Sequence, residues 1–152
     1  MSTHNNFIPI NIAIVTISDT RILDNDKSGD VLEDRVLKSN HKIISREIVK
    51  DNFEEIYELF SNFINNEKID VIISTGGTGL TGRDITPEVM KKLFEKTIDG
   101  FGEMFRWLSY SKIGTSSLQS RALAGVSNGT YIFCLPGSPS ACRDGWDQIL
   151  IH

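Results

Sequence analysis

Four short stretches of the chain are apolar and run into polar turn residues: Ile12–Ser18, Ile43–Val49, Val71–Thr75 and Tyr131–Leu135. Runs of this length read as strands, and those that are apolar at nearly every position are buried on both faces. Ile43–Val49 alternates more than the others, which places it nearer a sheet edge. Between the strands the apolar spacing changes to the helical period. Val31, Leu32 and Val36 share one face of a helix that begins near Ser28-Gly29 and runs to about Ser39. Phe53, Ile56, Tyr57, Phe60, Phe63 and Ile64 mark a second helix with a strong stripe. Val89 and Leu93 mark a third from Pro87 to about Phe94, and Ile98, Phe101, Phe105 and Leu108 a fourth. Leu118–Ala124 is expected as a short helix bearing Arg121, and Ser140–Ile149 as the last helix. Strands that alternate with helices predict an α/β fold, a three-layer α/β/α sandwich with a largely parallel central sheet. Residues 1–10 read as an N-terminal arm and 11–152 as one domain.

Composition narrows the classes of partner. The net charge is −4, from 16 basic and 20 acidic residues, which argues against nucleic acid or an anionic membrane. No apolar run approaches the length of a membrane span. Two cysteines and no signal peptide fit a reducing cytoplasm. Cys134 lies in an apolar strand and reads as core. Cys142 and the scattered His4, His41 and His152 make no zinc pattern. Met104 and Trp107 fall off the fourth helix's apolar stripe, which suggests a second apolar contact, with another subunit or with the core.

The chemistry concentrates after the third strand, in Ser74-Thr75-Gly76-Gly77-Thr78-Gly79 and on through Gly82-Arg83-Asp84 to Thr86-Pro87-Glu88. Glycines after a strand bring backbone N–H groups close to a ligand. Thr86 is expected as N-cap and Pro87 at the first helical position. One carboxylate, Asp84, lies inside the loop. A glycine-rich loop with an embedded carboxylate points to a phosphate-bearing ligand with a metal ion nearby. Gly77 to Gly82 also satisfies G-x-G-x-x-G, but the helix begins beyond the glycines and the strand is not the first, so the dinucleotide reading is set aside. A long flexible βα loop without chemistry is the bland alternative.

Other strand ends repeat the theme. The polar cluster Ser18-Asp19-Thr20-Arg21 closes the first strand, where open α/β sheets place ligands, although an Asp turn explains it equally well locally. Pro136-Gly137-Ser138-Pro139 closes the last, with Ser138 as N-cap. Asp51 precedes the second helix. With Glu54 three residues on, it fits a capping box and needs no function.

Together these residues resemble the molybdenum cofactor biosynthesis family that contains MogA and MoaB, with MoaB the nearer likeness. The resemblance is carried by Ser74–Gly79, Asp84–Glu88, Gly100-Phe101-Gly102-Glu103, Gly114-Thr115-Ser116 and Leu135–Ser138, with Ile17-Ser18-Asp19 and Asp26–Gly29 beside them. It implies a homo-trimer or hexamer that binds molybdopterin, with other proteins of the pathway as further partners. It also implies, as in MogA, use of Mg²⁺ and ATP to adenylylate the terminal phosphate of molybdopterin with release of pyrophosphate. On that likeness Asp51 and Asp84 are the catalytic carboxylates and hold Mg²⁺. Ser18, Asp19, Ser28, Thr75, Gly76, Gly77, Thr78, Gly79, Ser116, Pro136, Gly137 and Ser138 then line the substrate and phosphate site. The alternative in the same family is a non-catalytic, oligomeric pterin-binding protein. Related MoeA and CinA domains share the loop but usually sit in longer chains, and family members usually continue past the position of His152.

Overall fold

The structure, a computed structural model, describes residues 5–152. The described strands are β1 (Asn11–Ile17), β2 (Lys42–Val49), β3 (Val71–Thr75), β4 (Lys96–Thr97), β5 (Leu123–Ser127) and β6 (Thr130–Leu135). The helices are α1 (Lys27–Lys38), α2 (Phe53–Ile64), α3 (Thr86–Leu93), α4 (Asp99–Ile113) and α5 (Pro139–Gly145), the last continued by a π-helical turn over Trp146–Leu150. One six-stranded sheet has the order β2-β1-β3-β6-β5-β4. β2, β1, β3 and β6 run parallel, while β5 and β4 pair antiparallel beyond β6. The expected three-layer, largely parallel architecture is what forms, and β2 is an edge strand. Residues 5–10 of the arm carry no helix or strand, and Met1–His4 lie outside the described residues.

The sheet is covered on both faces, which is why its central strands are apolar at successive positions. Ile12, Ile14, Ile73 and Leu135 pack with Leu32 and Val36 of α1, Phe101 and Phe105 of α4, and Trp146. The intervening Ala13, Val15, Ile17, Ile72, Ile132 and Cys134 pack with Ile56 and Phe60 of α2 and Val89 and Met90 of α3. Cys134 is a core residue, as expected, and burial pushes its thiol up to about 12.

The expected helix over Leu118–Ala124 does not form. A 3₁₀ turn spans Gly114–Gln119, and Leu123 already belongs to β5. β5 and β6 join through Asn128-Gly129, both at positive φ (49° and 77°). That is the two-residue hairpin turn that matches strand twist. Cross-strand pairing with β6 therefore overrides the weak helical spacing.

β1, β3 and β6 end together. Thr16 pairs with Thr75, and Thr75 with Leu135. The chain leaves β1 for β2 on one side and returns to β3 on the other. Such a switch of direction opens a crevice at the strands' carboxyl ends.

Candidate functional site

A cleft of about 540 Å³ occupies that crevice. It is lined by Ser18 after β1, Asp51 after β2, Thr75 to Gly79 and Asp84 after β3, and Pro136, Gly137 and Ser138 after β6. Three residues expected in the site stand elsewhere. Asp19 lies behind Asp51 and accepts a hydrogen bond from its main-chain N–H at 3.0 Å. Ser28 is buried and donates to the Gly137 carbonyl at 2.9 Å, so it braces the loop after β6. Ser116 is exposed on the 3₁₀ turn and does not line the cleft.

The glycine loop is shaped by close approach. Gly76 has φ +105°, and a Cβ there would meet the Ile17 carbonyl oxygen at 2.2 Å. Gly77 has φ +70°, and its Cβ would collide with Thr86 Oγ1 and crowd Asp51 Oδ1. The Gly76 N–H is spent on the Leu135 carbonyl at 3.0 Å. The N–H groups of Gly77, Thr78, Gly79, Gly137 and Ser138 find no acceptor among the described residues. Two rows of donors thus remain for a ligand, and phosphate oxygens match them. Thr75 Oγ1 donates to the Pro136 carbonyl at 2.8 Å and locks the two loops together.

Two expected helix caps are corrected. Thr86 is inside α3, whose N-cap position is Ile85 with no side-chain cap. The Thr86 hydroxyl instead donates to the Gly76 carbonyl at 3.1 Å, holding the loop. The cap of α2 is Asn52, whose Oδ1 accepts from Glu55 N–H at 3.0 Å, and not Asp51. Asn outcompetes Asp here because the chain turns one residue later than the capping-box spacing implies. Asp51 is thereby released from a structural duty. Its Oδ1 is buried and has no hydrogen-bond partner among the described residues. An unpaired buried carboxylate oxygen is costly unless a ligand or cation completes it. Burial first, then the carboxylates of Asp19 and Asp84, raise the Asp51 pKa above the usual range, with Arg83 opposing. Across the loop, Asp84 Oδ2 accepts from Thr81 N–H at 2.9 Å and Thr81 Oγ1 at 2.7 Å, which fixes the carboxylate and leaves its other oxygen for a ligand.

Sequence reasoning placed Arg21 in the polar cluster after β1 and missed Lys112. Arg21 and Lys112 line the cleft, and Lys112 Nζ meets Asp144 at 2.8 Å. The first is legible as the residue beyond Ser18-Asp19-Thr20. The second enters from α4, which carried no polar signal. Among the described residues no cluster of three or more His, Cys, Asp or Glu encloses a metal. Asp51 and Asp84 fit a cation that brings further oxygens with it, as Mg²⁺ on substrate phosphates does.

The family described as "Probable molybdopterin binding domain" matches residues 13–152. Over 144 residues the chain is 46% identical to "Molybdenum cofactor biosynthesis protein B" of Escherichia coli (strain K12), covering 95% of this chain and 85% of that protein. A crystal structure of a molybdenum cofactor biosynthesis protein B is similar with a TM-score of 0.91 at 41% identity, covering 95% of this chain and 90% of that one. The tungsten cofactor synthesizing protein MoaB from Pyrococcus furiosus follows with a TM-score of 0.84 at 34% identity, covering 93% of this chain and 91% of that one. No helix among the described residues is long and apolar enough to cross a membrane.

Proposed function

The chain belongs to the molybdopterin-binding family of molybdenum cofactor biosynthesis proteins, and from that premise we propose that it adenylylates the terminal phosphate of molybdopterin with Mg-ATP and releases pyrophosphate. The observation that carries the catalytic part is the orphaned Oδ1 of Asp51, buried beside Gly77 in a cleft whose opposite carboxylate, Asp84, is fixed by Thr81. A pterin-binding module would need neither that uncompensated oxygen nor a second carboxylate against two rows of N–H donors.

Attack of one phosphate on another gathers negative charge, so the protein's work is positioning and neutralisation. The N–H groups of Gly77 to Gly79 hold one phosphate group and those of Gly137 and Ser138 another. Arg21 and Lys112 offset charge at the cleft wall. Asp51 and Asp84 would hold Mg²⁺ through oxygen ligands or water, and the ion would supply charge neutralisation at the phosphates. Ser28, Thr75 and Thr86 touch no substrate in this scheme and keep the two loops in register.

The pterin lies in the same cleft, and a homo-trimer or hexamer is the assembly. The apolar side chains left on α4, Trp107 and Met104, support an interface there. The reaction belongs to the cytoplasm, where the pathway's other proteins take the product.

The deciding experiment is incubation of the protein with molybdopterin, ATP and Mg²⁺, following adenylylated pterin and pyrophosphate together. Both should appear in equal amounts, and Asp84→Asn should abolish both. Pterin binding without either product establishes the alternative, a non-catalytic pterin-binding protein of the same pathway.

A further inference from the structure

The loop from Gly76 to Ile85 has no helix or strand of its own, yet the proposed chemistry needs Asp84 held to within a fraction of an ångström. One side chain closes that loop from outside. Arg121 donates from Nε to the Gly79 carbonyl at 2.8 Å and from Nη2 to the Asp84 carbonyl at 2.7 Å. Its remaining nitrogen, Nη1, pairs with Glu88 on α3. Its own main-chain N–H donates to the Thr78 carbonyl at 3.1 Å. A planar guanidinium thus bridges the two points where the chain enters and leaves the turn that bears Asp84.

The base of this clasp is itself braced. Arg106 of α4 donates to the carbonyls of Ser120 at 3.2 Å and Ala122 at 2.9 Å, the residues on either side of Arg121. The 120–122 segment therefore points one way to α4 and the other way, through Arg121, to the loop. Arg121 is absent from the cleft lining. Burial opposes ionisation of Glu88, but the hydrogen bond from Arg121, a backbone hydrogen bond and the charges of Arg121 and Lys91 together bring its pKa below the ordinary value.

We propose that Arg121 is a positioning residue for Asp84, acting through the Gly79 and Asp84 carbonyls; its link to catalysis rests on the function proposed above. The rigid fork is essential to the role. A lysine keeps the charge near Glu88 but offers no planar pair of donors to two carbonyls. Loss of the clasp should free the loop while the sheet stays intact.

The test uses ligand-free full chain and reads amide hydrogen exchange. In Arg121→Lys the amides of Thr81 and Asp84 should exchange about ten-fold faster or more, the scale of one lost hydrogen bond to a charged group, while those of β3 keep their rates. Glu88→Gln, which keeps both carbonyl bonds but loses the ion pair that orients the fork, should show a smaller acceleration in the same place. In the transfer assay Arg121→Lys should raise the Mg²⁺ concentration for half-maximal rate about ten-fold and leave the KM for molybdopterin within about two-fold. Unchanged exchange at Thr81 and Asp84 in both variants overturns the proposal, as does equal acceleration across β3. A wild type that transfers nothing defeats the proposed function, and the exchange measurement still decides the positioning role.

Discussion

The main-chain N–H of Asp51 donates to Asp19 Oδ1 at 3.0 Å, so the end of β2 is tied to the end of β1 by a carboxylate that crowds a second carboxylate. Asp19 therefore fixes where Asp51 stands and also makes its ionised form less favourable. Repulsion of this kind is relieved by a cation or by protons, in line with the Mg²⁺ role proposed for Asp51.

For Asp51 the sign of the pH dependence follows directly. A carboxyl whose folded pKa is raised binds protons more readily folded than unfolded, so stability falls as pH rises through the window above its ordinary value. In chelator-treated protein, Asp51→Asn should melt at or above wild type at pH 7, with the gap closing as the pH is lowered towards about 4. Transfer by the same variant should fall at least about 100-fold. A clear loss of Tm at pH 7 would mean the carboxylate stabilises the fold.

At Asn52 the effect should be the reverse. Asn52→Ala removes the side-chain cap of α2 and should cost about 1 kcal/mol, seen in denaturant titration as a lower midpoint with an unchanged slope. Asp51→Ala should show no such cap loss. If the two exchange behaviours, the cap lies at Asp51 after all.

Gly76 admits no side chain. Gly76→Ala meets the Ile17 carbonyl oxygen at 2.2 Å from a backbone at φ +105°, and should cost at least about 2 kcal/mol or prevent folding. Gly82 lies in the same loop with open space around its Cβ position, so Gly82→Ala should stay within about 0.5 kcal/mol. Thermal melts of the pair provide the comparison.

Trp107 is 74% exposed and Met104 51%. If the proposed trimer or hexamer forms through α4, Trp107→Glu should leave the protomer folded, by circular dichroism, and lower the mass seen in multi-angle light scattering at micromolar concentration to that of the monomer. An unchanged mass would move the interface off this face of α4.

Much of this was legible because periodicity and burial coincide. β1 and β3 read as buried strands because both faces are covered, and α2 read clearly because Ile56, Phe60 and Ile64 are its buried stripe. Ser138 read correctly as a cap, accepting from Ala141 N–H at 3.1 Å. β5 was missed although Asn128-Gly129 announced its hairpin, because Leu123–Ser127 is short and contains Gly125, which strand propensity disfavours. Gly125 is there because a Cβ would strike the Phe94 ring at 2.4 Å, a contact between residues far apart in sequence. The cleft's glycines and Asp84 were legible as a motif, whereas Asp51 read locally as a helix cap and entered the site only through the family resemblance. The bracing roles of Arg121 and of Ser28, which was expected to line the site, were not legible, since each acts on a main-chain carbonyl whose position only the tertiary fold supplies.

The bonds that fix the two glycine loops span the chain: Ser28 of α1 to Gly137 across 109 residues, and Thr75 to Pro136, which joins the loops, across 61. No fragment shorter than nearly the whole domain can contain the cleft. Its assembly must wait for the slow closure of long-range parallel pairings, so binding competence during refolding should arrive with the last cooperative phase. For the same reason a ligand that fills the cleft would resist unfolding of the domain as a whole, and a saturating amount of it should slow proteolysis throughout the sheet as much as at the loops it touches.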